Sequence, residues 1–253
     1  VTNQGVLFIS SSTDILYING DFSNNAAGAL TNNGKLYVSQ TLTNNQSSMS
    51  AGTGTLYLNG STSQLVNGSE VFKTYNLITD NGAGITLNND LSISGTHTFS
   101  AGLIASSVTP NYLVYEAGAS YSGDNDSRHI TGWAKKIGNT DFVFPVGDAT
   151  YERTSAISGL SASSEFNCHY YTPTQNVFNL ASPIVQVKAN EYWQIDRVSG
   201  GTAQITLNWD HSKVPMDNII LADVLVAHYS GGNWTDAGGS PSATGNVTTT
   251  GSV

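Results

Sequence analysis

Charge is what this chain has least of. Asp, Glu, Lys and Arg make up 11% of its 253 residues, less than half of the roughly 25% usual in soluble domains. Nine Lys plus Arg stand against eighteen Asp plus Glu, a balance of −9. The sequence has no basic stripe to neutralise a phosphate backbone, so nucleic acid and anionic membrane surfaces are poor partners. Acidity of this size acts as a solubility device.

Cysteine is confined to Cys168, which excludes a disulfide within the chain. It sits in Phe166-Asn167-Cys168-His169-Tyr170, where alternation puts it on one face with Phe166 and Tyr170. That is the place of a small core residue rather than a nucleophile. Long apolar runs are missing. The best, Ile219 to Ala227, is broken by Asp223 and falls far short of the roughly 20 residues of a membrane span. No membrane insertion is expected, and the residues after Val1 do not read as a signal peptide. A 3.6-residue apolar period is scarce, so almost no helix is expected. An Asn/Ser/Thr/Gly-rich, charge-poor chain of this kind reads as a mature or excised part of a secreted protein.

What is present is a repeat. Leu-Tyr recurs at Leu16-Tyr17, Leu36-Tyr37 and Leu56-Tyr57, a period of 20 residues held twice. Ile18, Val38 and Leu58 follow the pair, Phe22 matches Leu42, and Asn24-Asn25 matches Asn44-Asn45. A fixed period near 20 is the mark of stacked-repeat architectures. The triplets are β-rich and alternate their faces, and the Asn, Gly, Ser and Thr between them suit turns. One rung of this length cannot bury its own apolar face. Stacking the next rung about 4.8 Å away pairs every strand and sets like residue on like residue. The expected ladders are Leu16/Leu36/Leu56, Tyr17/Tyr37/Tyr57 and Phe22/Leu42, with amide ladders Asn24/Asn44 and Asn25/Asn45 at a corner. Gly5-Val6-Leu7-Phe8-Ile9 reads as a first rung entering the ladder that Leu16 begins.

The fold class is therefore all-β, a parallel β-solenoid with rungs of about 20 residues followed by an antiparallel β-sandwich. The solenoid is expected over residues 1–105, in roughly five rungs. Residues 106–140 change character and are expected to connect it to the second part, because all four tryptophans (133, 193, 209, 234) and most charges follow residue 130. From 141 to 253, short strands separated by Gly/Ser/Asn turns predict the sandwich.

Candidate chemistry is sparse. A β-helix polysaccharide-active enzyme needs clustered carboxylates with a base, often with Ca²⁺. The first 105 residues hold Asp14, Asp21, Glu70, Asp80 and Asp90, scattered without the rung period, so no enzyme and no catalytic residue is expected. Asp124-Asn125-Asp126-Ser127 has the alternating oxygen ligands of a calcium loop but lacks the sixth-position glycine and distal glutamate of an EF-hand. Asp124 and Asp126 are the candidate Ca²⁺ ligands, against the reading of a solvated loop, and no other cofactor is expected. Asp148 and Glu152 are placed to bind metal or, better, to pair with Arg153. The histidines at 97, 129, 169, 211 and 228 lack zinc-site spacing. The tryptophans suit a sugar-stacking platform. Trp193 and Trp209 fall among apolar neighbours and read as core, and Trp234, after Gly231-Gly232-Asn233, is expected to be partly exposed and to stack on a sugar.

Three segments together carry a resemblance. They are Leu16-Tyr-Ile-Asn-Gly-Asp-Phe-Ser-Asn-Asn with Leu56-Tyr-Leu-Asn-Gly-Ser; Gly132-Trp-Ala-Lys-Lys-Ile-Gly leading to Phe142-Val-Phe-Pro-Val-Gly-Asp; and Glu191-Tyr-Trp-Gln-Ile-Asp-Arg followed by Val226-Ala-His-Tyr and Trp234. They resemble the repeat-plus-sandwich regions of large Bacteroidota-type cell-surface proteins exported by the type IX secretion route. The resemblance covers nearly the whole chain and implies an extracellular, adhesin-like or matrix-like scaffold, with no catalytic residues to carry over. In such proteins a further apolar strand and a sorting domain follow the Trp234 region. Here the sequence stops at Val253, so an edge strand is expected to be missing, and an open edge invites strand addition. The expected partners are other copies of the chain or other surface and matrix components, assembled into filaments, with glycans as the alternative for a carbohydrate-binding module.

Overall fold

The structure, a computed structural model, describes residues 1–107, 110–172, 178–188, 190–210, 212–213, 220–241 and 245–249. It is all-β. The one helical element among the described residues is the 3₁₀ turn Leu221–Asp223, and no helix there is long and apolar enough to cross a membrane. His211 and residues 250–253, which figured in the sequence reading, lie outside the described residues.

The first part is a parallel solenoid of about six turns at ~21-residue spacing. Each full turn contributes a strand to two or three parallel sheets. One, the tyrosine sheet, stacks Ile15–Ile18, Lys35–Val38, Thr55–Leu58, Asn76–Asp80, Thr96–Ala101 and Ser120–Ser122. The second, the asparagine sheet, stacks Thr2–Asn3, Phe22–Asn24, Leu42–Asn44, Gln64–Gly68, Ile85–Leu87 and Ile104–Ser106. Pairing in both is parallel and in register: Leu16, Leu36, Leu56, Leu77, His97 and Tyr121 form a single column. Phe22, Leu42, Val66 and Leu87 form another. Alternation sends these columns inward, where Leu36, Leu42, Leu56 and Leu77 are fully buried, each worth roughly 1.5–3 kcal/mol in water-to-core transfer.

The first turn differs from its expectation. Val6–Ile9 does not enter the Leu16 column; it lies in a separate two-stranded sheet under Ala29–Asn32. The turn has three sides, and Val6–Ile9 occupies the third. Gly68 shows how tightly the turns approach. It stands above Asn44 with φ +123°, and a Cβ there would lie 1.9 Å from the Asn44 carbonyl oxygen, so only glycine fits.

Residues 106–140 are a second correction. They do not connect two bodies; they continue the stack. A long sheet runs Phe72–Thr74, Leu91–Ile93, Tyr112–Tyr115, Trp133–Gly138, Ser164–Tyr171 and Tyr192–Ser199. It is parallel as far as Trp133–Gly138 and antiparallel beyond. The parallel-to-antiparallel switch thus happens within one sheet, whose last strand pair carries a register shift between Glu165 and Phe166. The composition shift at residue 130 marks what decorates the strands and leaves the stack intact.

A five-stranded antiparallel sheet, in the order Phe142–Phe144, Ser155–Ser158, Gln204–Asn208, Asn246–Thr248 and Ser240–Pro241, completes the C-terminal part. One hydrophobic cluster runs from Ile9 through Phe99 and Phe144 to Phe166, Cys168 and Ile205, so the antiparallel sheets share a core with the solenoid. The hairpin Ala227–Ser230 with Asn233–Asp236 has its own small cluster of Ile184, Val187 and Trp234.

Candidate functional site

The ladder residues behave in two ways. Tyr17, Tyr37 and Tyr57 point outward and stack ring on ring, at 4.6 Å and 28° and then at 4.0 Å and 13°. The column ends there, because Ile78, Thr98 and Ser122 take the next positions. Burial against its neighbours and the Tyr57 hydroxyl raise the Tyr37 phenol above its ordinary value. Inside the corner, Asn3 donates to Asn24 and Asn24 to Asn44, each at 2.9 Å. Asn44 Nδ2 in turn donates to the Val71 carbonyl at 2.8 Å. Asn25 and Asn45 do otherwise: Asn25 accepts from Ser23 Oγ, and Asn45 accepts from the Ser69 amide and hydroxyl. Their side chains lie on the solvent side of the corner, where local turn bonds compete with the ladder.

His97 occupies a leucine position in the inward column. Its ring is buried, with Nε2 3.0 Å from Thr79 Oγ1, Nδ1 2.9 Å from Tyr115 OH and its ring centroid 3.9 Å from that of Phe99. Burial pushes its pKa down to about 3 and the Tyr115 phenol well up. A histidine held neutral in a dry core, with both nitrogens partnered, is a structural network.

The acidic loop divides its carboxylates. Asp126 forms an ion pair with Lys213 and accepts from the Glu152 amide at 3.0 Å. Burial works against the Asp126 carboxylate, but Lys213 and that amide outweigh it and hold its pKa below the usual range. Asp124 instead faces Glu152. Burial first, and the hydrogen-bonded Asp124 carboxyl second, push Glu152 up to about 8. Glu152 Oε1 is buried without a hydrogen-bond partner. Among the described residues no group of three or more His, Cys, Asp or Glu is placed to hold a metal ion, and a cation on Asp126 would have to displace Lys213.

Arg153 corrects another expectation. It pairs with neither Asp148 nor Glu152. Its Nε and Nη2 donate to Glu191 Oε2 at 3.0 and 2.6 Å, and both residues are buried. Tyr170 OH donates to the same oxygen at 3.0 Å, and Lys188 lies 3.5 Å from the other. Asp148 caps the amides of Thr150 and Tyr151. Arg153 and Glu191 are thirty-eight residues apart, so spacing along the chain could not reveal the pair. Lys136 is likewise buried, its ammonium donating to the carbonyls of Glu116 and Ala119.

Cys168 is in the core as expected, 3.1 Å from Ser155 Oγ, and burial pushes its thiol up to about 12. Trp193 packs on the core and donates its indole N–H to the Arg153 carbonyl at 2.8 Å. Trp234 is a correction: it is 6% exposed, enclosed by Ile184, Val187, Leu180 and Tyr229, and has no face free for a sugar. The Gly-Gly turn before it is exposed, and the strand that follows turns the ring inward. Trp133 lies on an outward sheet face among other aromatic rings.

No protein-family model matches the chain, and neither a curated protein nor a solved structure matches it.

Proposed function

We propose that this is an extracellular structural and adhesive surface protein, in which the solenoid is a rigid spacer and the C-terminal sheets carry the contact to other molecules. The uninterrupted inward columns support a spacer, because each turn is held by the turns on both sides and the stack resists bending as a unit. Its charge-poor, Asn/Ser/Thr-rich surface and single buried cysteine suit an oxidising exterior.

Self-association is part of this reading. The observation that carries it is the strand Tyr192–Ser199. Among the described residues it ends the long sheet, it is eight residues long, and its second half is exposed, with Val198 at 52%. A long edge with an apolar residue on it favours pairing with a strand of another copy.

Sedimentation and negative-stain microscopy over a concentration series test the proposal. Oligomers or filaments that grow with concentration, and that shrink when Val198→Lys places a charge on the edge, are expected. A monomer at every concentration, with no filaments in the images, would overturn the assembly reading.

A further inference from the structure

The outward face of the long sheet changes at the Tyr112–Tyr115 strand, before the strands turn antiparallel beyond Trp133–Gly138. On the Phe72–Thr74 and Leu91–Ile93 strands it carries Lys73 and Ser92. On the next four strands it carries Tyr112, Trp133, His169, Tyr171 and Tyr192. Trp133 meets Tyr112 at 5.9 Å and 71°, His169 at 5.1 Å and 57°, and Tyr171 at 6.4 Å and 77°. The neighbouring rings therefore stand across the indole plane. His169, Tyr171 and Tyr192 form a stack of their own, at 4.2 Å and then 4.9 Å. All five rings are partly exposed.

Polar groups border the rings. Lys135 pairs with Glu165 at 2.6 Å and sits 4.4 Å over the Tyr112 ring. Asp90 accepts from the Tyr112 amide at 2.8 Å, and Asp196 is paired in register with Asn167. Asn167 is 6% exposed and donates to Tyr112 OH at 3.2 Å, yet its Oδ1 has no hydrogen-bond partner.

We propose that this face binds a neutral saccharide. Cross-strand aromatic pairs would stabilise the sheet with or without a ligand. They do not account for the acceptor on Asn167, a buried group that costs stability until a donor reaches it. A sugar ring supplies both parts of what the face lacks: an apolar C–H surface to lie on an aromatic ring, and hydroxyl donors at its rim for Asn167 Oδ1 and the carboxylates. Burial is the main cause that raises the Tyr112 phenol, Lys135 opposes it, and the carboxylates of Asp90, Asp196 and Glu165 add to it. That excess of negative charge repels acidic sugars, so the ligand is a neutral pyranoside chain. The site is independent of self-association, since it needs one copy of the chain only.

Titration of ¹⁵N-labelled protein with cellohexaose, chitohexaose and a hexamer of galacturonate tests this, following the Trp133 indole N–H. The expected result is a saturable shift with a neutral hexasaccharide and none with the galacturonate. Trp133→Ala and Asn167→Ala should each weaken binding about tenfold with the fold retained by circular dichroism, and Tyr171→Ala serves if Trp133→Ala unfolds. Val198→Lys should bind as the parent does, which keeps this result separate from the assembly test. No shift with any neutral sugar, a shift with galacturonate alone, or binding unchanged in these variants would overturn the site.

Discussion

Asn24 and Asn44 lie twenty residues apart in the chain and are joined side chain to side chain, Nδ2 to Oδ1, at 2.9 Å. Both are buried. Asn44 also accepts from the Gln46 amide at 3.2 Å and donates to Val71 O at 2.8 Å, so it ties three turns at one corner. Asn44→Ala should cost about 2–4 kcal/mol, the sum of buried groups left without partners. Asn45→Ala, at the solvent side of the same corner, should cost less than about 1 kcal/mol. Urea unfolding of the two variants makes the comparison, and equal costs would show that the corner is not held by its inner amide.

His97 makes the fold acid-sensitive. Its folded pKa of about 3 lies below the ordinary 6.5, so the unfolded chain binds a proton that the folded one refuses. Stability is full above about pH 6.5 and falls as pH drops toward 3, by roughly 3–5 kcal/mol for a group this buried. His97→Leu should flatten that acid slope relative to the parent, at the cost of stranding Thr79 Oγ1 and Tyr115 OH near neutral pH. Melting temperatures at pH 4, 5.5 and 7 for both proteins read the effect. Parallel pH curves would remove His97 as the cause.

Glu152 has the opposite sign. Its folded pKa, near 8, lies above the ordinary 4.5, so the folded state holds a proton that the unfolded chain has lost. Stability from this group is present below about pH 4.5 and falls as pH rises to about 8, when Glu152 ionises beside Asp124. Glu152→Gln should remove that decline and leave the protein more heat-resistant than the parent at pH 9. A parent whose melting temperature does not fall between pH 5 and 9 relative to the variant would contradict the raised pKa of Glu152.

Arg153 and Glu191 fasten the C-terminal part as a buried ion pair. Glu191→Ala should destabilise by about 3–5 kcal/mol, because it leaves a charged guanidinium without its partner. Arg153→Met combined with Glu191→Leu should cost less than that single change, since neither charge remains to be buried. Chemical unfolding of both variants measures this, and a double variant weaker than the single one would mean that the pair contributes more than its own desolvation.

The solenoid could be read from the sequence because its contacts repeat the chain's own period. When strands pair with the strand one turn on, equal residues at equal spacing are the contacts, and Leu16, Leu36, Leu56, Asn24 and Asn44 announce them. The scarcity of helix among the described residues followed from the same pattern. The sequence left open everything whose partners do not recur. Arg153 meets Glu191, Asp126 meets Lys213 and Trp133 meets His169 through antiparallel pairing or loop packing, where sequence distance carries no signal. His97 sits in a leucine column that only the register shows. The fate of Trp234 was likewise decided by which side of a hairpin faced Ile184 and Val187. Local pattern fixes which way a side chain alternates, and tertiary packing alone determines what waits on that side.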